Sequence, residues 1–366
     1  MNMVKPLLGF GSALFAISLA HAANAADAAI AAEPEQLEYV RLCDAYGAGY
    51  FFIPGTETCL KISGTVRTEG KWHNPYNPGT GGDYGTLWHS RAQIAVDTAS
   101  DTEYGALKTD SIYRFDWQEG VTTDKLVWAN ISLAGFTIGK IDSAYNLYMG
   151  YAGNVMNDDI VYDGPPEINQ ITYNYDAGNG ITAVVSLEDT NSGADLSAYN
   201  GAWVQSKTNE YIPNAVAGIG YKSGAWQIRF VGGYDAIVEE GAVKARVDAD
   251  FGIFKAFLMG GWNTDGNKLN KYAGSNLDPS ACPAGHAELC GWGDWALWTG
   301  VTLPIDEKLQ ANGQVAFTDS KILQVTTNIR WSPVKNMLVE PEVTYTKFHS
   351  VNQEQWAGIL RLQRSF

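Results

Sequence analysis

The octapeptide Leu60-Lys61-Ile62-Ser63-Gly64-Thr65-Val66-Arg67 points to the fold class of this 366-residue chain. Leu60, Ile62 and Val66 stand on alternate positions, and charged or hydroxyl side chains lie between them. Because successive side chains of a strand point to opposite faces of a sheet, this pattern predicts a strand with one apolar and one polar face. The same alternation recurs at 226–230, 242–248, 323–331 and 339–345.

Turn-forming sequences separate these runs, so the chain is read as a series of hairpins. Short turns are predicted at 177–180, 223–224, 304–307 and 332–336, and longer polar, glycine-rich connections at 72–85, 141–167, 190–212 and 263–293. Alternating long and short connections are typical of up-and-down barrels of the bacterial outer membrane. The alternative is a soluble β-sandwich or propeller. We count about sixteen strands, with starts at Cys59, Thr86, Glu103, Asp124, Phe136, Ile168, Ile181, Pro213, Ala225, Ala242, Gly252, Asp294, Lys308, Lys321, Asn336 and Glu354.

The aromatic residues favour the membrane barrel over the soluble alternatives. No apolar run after Ala26 is long enough to cross a bilayer as a helix, and without such helices only a closed barrel satisfies the backbone in lipid. Aromatic side chains on the apolar phase near predicted strand ends fit an interfacial girdle; they are Tyr173, Tyr175, Trp226, Trp331, Tyr345 and Trp356. We therefore expect an all-β, transmembrane, antiparallel up-and-down barrel of about sixteen strands with an aqueous lumen.

The first 25 residues have the layout of a secretory signal peptide. Lys5 is the only charged residue before an apolar run at 7–20, and the small-residue pattern Ala23-Asn24-Ala25 follows. That run is too short for a spanning helix, which needs roughly 20 residues. We expect a signal peptide at 1–25, an N-terminal periplasmic-side segment at 26–58 and the barrel at 59–366, with cleavage after Ala22 as a variant. The segment 26–58 is left either near the periplasmic mouth or partly inside the lumen.

Charge and cysteine content narrow the function further. Removing the signal peptide removes one lysine, which takes the net charge from −15 to −16. Such a chain is a poor nucleic-acid binder, because phosphate repels it, and we expect no nucleic-acid partner. Four cysteines in an exported chain predict two disulfides, and proximity favours Cys43–Cys59 and Cys282–Cys290 among three connectivities. The sequence contains no C-x-x-C motif and no cluster of histidines, so we expect no zinc site. No cofactor is expected either.

The C-terminus carries a feature typical of outer-membrane barrels. Trp356, Leu360, Leu362 and Phe366 share one phase of the last predicted strand, and Phe366 is the final residue. A terminal aromatic residue on an amphipathic strand resembles the signal that the barrel-assembly machinery reads. This makes Phe366 the expected assembly signal.

A barrel hydrolase is the competing enzyme class. Nucleophilic catalysis needs a serine within hydrogen-bond reach of a histidine. His89-Ser90 and His349-Ser350 are adjacent pairs, and adjacent side chains of a strand face opposite sides of the sheet. We therefore expect no enzyme activity, whereas an adhesin or receptor role stays open.

Three stretches resemble a known family. The segment 39–64, YVRLCDAYGAGYFFIPGTETCLKISG, closely resembles the amino-terminal signature of alphaproteobacterial porins of the Brucella and Rhizobium type. The block ISLAGFTIGK at 131–140, followed by NDD at 157–159, resembles that family's third-loop region, and RLQRSF at 361–366 resembles its ending. The resemblance implies a homotrimer of sixteen-stranded barrels among outer-membrane lipid and lipopolysaccharide. It also implies a third external loop folded into the lumen, and passive diffusion of small hydrophilic solutes and ions.

Charged residues suggest where the pore is narrowest. The connection 141–167 contains acids and neither lysine nor arginine; its acids are Asp142, Asp158, Asp159, Asp163 and Glu167. The polar phase of the first three strands supplies bases, namely Lys61, Arg67, Arg91, Lys108 and Arg114. Opposed acidic and basic groups across a lumen create a transverse field and set ion preference. Since a negative potential concentrates cations, we expect a weak cation preference.

Overall fold

A computed structural model of the protein describes residues 41–74, 85–157, 160–190, 211–274 and 291–366. Within these ranges it has seventeen strands, one α-helix, α1 (Ala144–Met149), and short 3₁₀ turns that include Asp44–Tyr46 and His349–Val351. The strands are β1 Phe51–Phe52, β2 Cys59–His73, β3 Gly85–Thr102, β4 Gly105–Gln118, β5 Val121–Leu133, β6 Phe136–Asp142, β7 Glu167–Asp176, β8 Ile181–Glu188, β9 Asn214–Ser223, β10 Trp226–Asp235, β11 Glu240–Asp250, β12 Lys255–Asn263, β13 Trp295–Pro304, β14 Leu309–Thr318, β15 Ile322–Trp331, β16 Met337–Phe348 and β17 Gln353–Ser365.

Strands β2 to β17 form one closed antiparallel barrel. Each pairs with the next along the chain, and β17 pairs with β2 through a register that runs from Ala357↔His73 to Ser365↔Thr65. The prediction of about sixteen strands is therefore confirmed. The expected starts lie within three residues of the observed ones, the largest differences being at β5 and β12.

The two phases of each strand face different surroundings. On β2, Ile62 and Val66 point outward and remain 55% and 56% exposed, whereas Arg67 and Glu69 point to the lumen. An apolar outer face with a polar interior is the pattern of a barrel in lipid. The predicted aromatic residues lie on the exposed phase, with Tyr345 only half-buried; the others are Tyr173, Tyr175, Trp226, Trp331 and Trp356.

The connections at the two ends of the barrel differ from the expected alternation. All seven connections at one end, the turn end, are short, but four of the eight at the other end, the loop end, are short as well. Those four turns contain Glu119, Glu239, Lys321 and Asn352, each at positive φ. In these turns a residue other than glycine adopts the left-handed backbone conformation that a tight turn needs. Because glycine is the usual marker of such a conformation, the sequence predicts these turns only weakly. In the described ranges, no helix is long and apolar enough to cross a membrane.

The segment 41–58 lies at the turn end, against the inner side of β2 and β3. A disulfide joins Cys43 to Cys59, as predicted, and Leu42 bridges to Phe51 to make a small hairpin. The Tyr46 hydroxyl donates to the Asp101 carboxylate at 2.6 Å. Cys282 and Cys290 lie outside the described residues, so their bridge stays a prediction, as does the signal peptide at 1–25.

The barrel closes tightly around the final residue. The Phe366 N–H donates to the Gly64 carbonyl and the Gly64 N–H donates to the Phe366 carboxyl-terminal oxygen, both at 3.0 Å. A Cβ on Gly64 would lie 2.5 Å from the Gln93 backbone oxygen and 2.7 Å from Cζ of Phe366. The missing side chain at Gly64 therefore makes room for the terminal aromatic ring.

We expect Gly64→Ala to weaken barrel closure, because the added methyl clashes with a backbone oxygen that cannot turn away; overpacking of this kind costs about 1–3 kcal/mol. The matched control is Gly70→Ala on the same strand, where a Cβ meets nothing within 4 Å. The measurement is the temperature at which the compact form is lost on unheated detergent gels. Equal temperatures for the two variants would contradict this role of Gly64.

Candidate functional site

The segment 143–166, between β6 and β7, begins with a capped helix. The Ser143 Oγ accepts the Tyr145 N–H at 3.2 Å, which is the usual N-cap arrangement, and donates to the Glu188 carboxylate at 2.8 Å. Glu188, at the end of β8, also accepts the Ala144 N–H at 2.9 Å and the Tyr272 hydroxyl at 2.9 Å. One fully buried carboxylate therefore fixes the start of α1 to the wall.

Arginines of the wall hold the end of α1. The Arg229 guanidinium on β10 donates to the Tyr148 carbonyl at 3.0 Å. The Arg246 guanidinium on β11 donates to the carbonyls of Gly150 and Tyr151 at 3.0 and 2.7 Å. Helix-terminal carbonyls have no partner within the helix, so these charged donors supply one.

The tip of the segment reaches β15 and β16. The Glu342 carboxylate accepts the backbone N–H groups of Met156 and Asn157 at 2.6 and 2.7 Å. The Asn328 amide donates to the Asn154 carbonyl at 2.8 Å and to Glu342 at 2.9 Å. A loop with no ladder of its own thus has its backbone groups satisfied by polar side chains of the inner wall.

The returning half packs against tryptophans. The indole N–H groups of Trp292 and Trp298 donate to the carbonyls of Tyr162 and Val161 at 2.6 and 3.1 Å. The described part of the segment therefore contacts side chains of β8, β10, β11, β13, β15 and β16.

A cavity of about 580 Å³ separates this segment from the opposite wall. Asp142, Asp163 and Glu167 line one side, and Arg330 and Arg361, together with their partner Glu340, line the other. Glu167 forms an ion pair with Lys125 at 2.6 Å. Opposed charges therefore face each other across this opening.

Two of the lining carboxylates form no ion pair with a described residue. Asp142 accepts the Trp128 indole N–H at 3.0 Å and the Tyr151 hydroxyl, and Asp163 accepts the Ala152 N–H at 2.7 Å. Among the described residues neither carboxylate forms an ion pair, although the buried Lys244 ammonium donates to the Asp163 backbone carbonyl. Burial, together with the Asp142 carboxylate, raises the pKa of Tyr151 well above its ordinary value, so the phenol keeps its proton.

Three of the predicted basic residues come together on the wall. Arg91 donates to Asp116 at 2.6 Å, and the Arg114 Nε lies 3.0 Å from the same carboxylate. The Arg67 guanidinium lies on the neighbouring strand, directly opposite Arg91 in the β2–β3 register. Lys61 and Lys108 are inward too but lie nearer the turn end, where Lys61 approaches the Tyr50 ring. Asp158 and Asp159 lie outside the described residues.

The acidic partners of these bases, and the residues that the last strands contribute, were not predicted from the sequence. Glu69 and Asp116 stand on the same polar phase as the predicted arginines, so the alternation that identified the arginines could also have identified them. Arg330, Glu340, Glu342 and Arg361 lie on β15 to β17. Only closure of the barrel brings them beside β2.

A family model described as a porin subfamily matches residues 27–361. The chain belongs to this porin family. It is 36% identical to Porin Omp2b of Brucella suis biovar 1 (strain 1330) over 388 residues, covering 100% of each chain, and equally so to Porin Omp2b of Brucella abortus (strain 2308).

Two solved structures share the fold of this porin. The outer membrane channel DcaP of Acinetobacter baumannii has a TM-score of 0.61 at 16% identity, over 86% of this chain and 99% of that one. An anion-selective porin from Comamonas acidovorans has a TM-score of 0.57 at 13% identity, over 85% and 100% of the two chains. Family membership places the protein in the outer membrane as a multi-pass β-barrel, and points to a channel rather than an enzyme.

We expect Glu342→Gln to loosen the tip of the segment 143–166. The amide has one acceptor oxygen for two backbone N–H groups, and leaving a buried donor unpaired costs about 1–3 kcal/mol. Single-channel recordings should then show larger current noise in the open state, with the barrel still folded. Glu103→Gln, at an exposed turn, is the control. Noise that is the same in both variants would mean that Glu342 does not hold the loop.

Proposed function

We propose that this porin is a passive channel for small hydrophilic solutes and ions, with its narrowest section between the segment 143–166 and the wall formed by β15, β16, β17 and β2 to β5. The observation that carries this proposal is the attachment of the segment to Glu342 and Asn328 on the far wall. A loop held at both its start and its tip across the lumen restricts the cross-section wherever the tip crosses. The remaining opening is the cavity that Asp142, Asp163 and Glu167 line on one side and Arg330, Arg361 and Glu340 on the other.

We further propose that the channel prefers cations weakly. Among the described residues Asp142 and Asp163 line the opening without an ion pair, with Lys244 held only at the Asp163 backbone carbonyl, whereas the wall arginines are paired with carboxylates. Unpaired carboxylates raise the local concentration of cations. The preference is weak because the lumen is wet and the wall keeps positive charge, and charges more than about 10 Å from an ion's path are largely screened near 0.1 M salt.

Neutralising the loop should shift the reversal potential in a KCl gradient toward anions. We expect this for Asp142→Asn with Asp163→Asn, and for Asp158→Asn with Asp159→Asn. Arg91→Ala should shift it the other way, because it removes a wall cation. All shifts should shrink as salt rises, since screening shortens the reach of these charges. An anion-selective wild type, or reversal potentials unchanged in all variants, would show that these residues do not set the preference.

A second proposal concerns self-association as a homotrimer. Its support is the outward face of β2 to β4, where a group of small hydroxyl side chains lies among the apolar residues; they are Thr68, Ser90, Thr98, Thr109 and Ser111. Small residues allow backbones to approach closely in lipid. We propose that this face meets sister barrels, that the other outward faces meet lipid and lipopolysaccharide, and that Phe366 is read by the barrel-assembly machinery.

Ser111→Trp should dissociate the trimer, because the indole holds the two outer faces apart. The control is Val185→Trp, on the exposed face of β8, where lipid adapts to the larger side chain. Cross-linking in mild detergent, followed by gels of unheated and boiled samples, measures the oligomer. A trimer that survives Ser111→Trp, or one lost only in Val185→Trp, places the interface elsewhere.

A further inference from the structure

The inner wall at β17, β2, β3 and β4 holds more cationic groups than carboxylates. Glu69 is contacted by Lys71 at 3.1 Å, by Arg361 at 2.6 Å and by the His89 ring at 2.9 Å. Asp116 is contacted by Arg91 at 2.6 Å, by Arg114 at 3.0 Å and by the other His89 nitrogen at 2.6 Å. Arg361 also lies 3.8 Å from Glu340 on β16. Four arginines and one lysine are therefore in contact with three carboxylates, even before His89 is counted; the five are Arg67, Lys71, Arg91, Arg114 and Arg361. We call these five residues the arginine cluster.

Arg67 is the member of the cluster with the poorest compensation. Its Nε donates to the neutral amide of Gln363 at 2.9 Å, and its nearest carboxylate oxygen, on Glu69, is 3.9 Å away. Arg361, Arg91 and Arg114 all lie close enough to Arg67 to oppose its charge. A guanidinium surrounded by like charges and without a close carboxylate is stabilised by any anion that reaches it.

The donors of the cluster also exceed its acceptors. The Arg114 Nε is buried and makes no aligned hydrogen bond, although Asp116 is nearby. Both oxygens of Glu69 and both oxygens of Asp116 are already in contact with basic groups. A buried donor without a partner is costly, so an added acceptor would be favourable here.

The carboxylates lie behind the guanidinium groups as seen from the lumen. The Glu69 side chain is 2% exposed and that of Asp116 is 14% exposed, whereas those of Arg67, Arg91 and Arg114 are 20 to 23% exposed. The acids therefore hold the arginines in fixed positions, and a passing solute meets the guanidinium groups. Fixed donors bind with little loss of side-chain entropy.

We propose that the arginine cluster is a subsite for a small oxyanion, the carboxylate or phosphate group of a permeating solute. Guanidinium forks match the paired oxygens of both groups, which a chloride ion does not offer. The proposal rests on the channel function proposed above and names one class of solute for it. A retained oxyanion adds negative charge to the lumen, so the subsite is compatible with a weak cation preference in potassium chloride.

The test is single-channel recording of the full-length protein in planar bilayers, in KCl of fixed ionic strength. Inorganic phosphate and succinate are the probes, and erythritol is the neutral control. We expect both anions to interrupt the current in a concentration-dependent way at millimolar levels, and erythritol to have no such effect. Arg67→Gln should weaken the block about tenfold, the factor expected when one charged contact worth roughly 1.4 kcal/mol is lost.

The control variant is Lys108→Gln, which removes a positive charge from the same wall, nearer the turn end. It should leave the block nearly unchanged. Block by phosphate alone would assign the subsite to phosphorylated solutes, and block by both probes would assign it to oxyanions in general. Open channels that neither probe interrupts overturn the inference while leaving the channel function intact, and so does an equal loss of block in both variants.

Direct binding keeps the inference testable if a variant or the channel itself fails. Line broadening of the phosphate ³¹P resonance by the detergent-solubilised wild type should appear at millimolar phosphate and decrease on addition of succinate. If the protein forms no channels, the proposed function fails, and this measurement alone decides the subsite. If Arg67→Gln does not give the compact, heat-modifiable form, Arg91→Lys, which keeps the charge but loses the fork, takes its place.

Discussion

Closure of the sheet by β17 and β2 is the constraint on which the remaining features depend. A sheet in lipid cannot leave an edge unpaired, because each free backbone group there costs several kcal/mol. The Gly64–Phe366 hydrogen bonds and the register from Ala357 to Ser365 remove that edge. Closure also brings together residues far apart in the chain: Arg361 meets Glu69 across 292 positions of sequence. The arginine cluster therefore exists only in the closed barrel.

The same closed wall determines where the segment 143–166 can lie. Its backbone has few partners of its own, and unpaired buried backbone groups are strongly disfavoured. Inward polar side chains supply the partners, among them Glu188, Arg246 and Glu342. Because these anchors come from strands on several sides of the lumen, the segment is held across it rather than along one wall. Asp142, Asp163 and Glu167 then face Arg330 and Arg361 over the open space.

Period-two alternation is a strong signal, which explains why most of the fold could be read from the sequence. An alternating run of apolar and polar residues predicts that a strand is present and which of its two faces points away from the lumen. The tight turns at Glu119, Glu239, Lys321 and Asn352 were not predicted, because the residue in the left-handed conformation is not glycine. Helix α1 was not predicted, because six residues are too few to show a helical period.

Only some of the residues of the candidate site could be predicted from the sequence. The bases Arg67, Arg91 and Arg114 were found, because they fall on the inward phase of early strands. Their carboxylate partners and the loop anchor Glu342 depend on register between strands and on the path of a loop, which local patterns do not encode. The balance between acids and bases in the lumen could therefore be judged only once the pairs were known.

The central claim is that the segment 143–166 borders the path of permeating ions, and one measurement addresses it directly. Tyr151, which lines the cavity, is replaced by cysteine and labelled with a bulky, water-soluble thiol reagent while single channels are recorded. Complete labelling, verified by mass, should lower the conductance of each channel in discrete steps. A conductance that stays the same after complete labelling would contradict the account, because the segment would then lie away from the ion path.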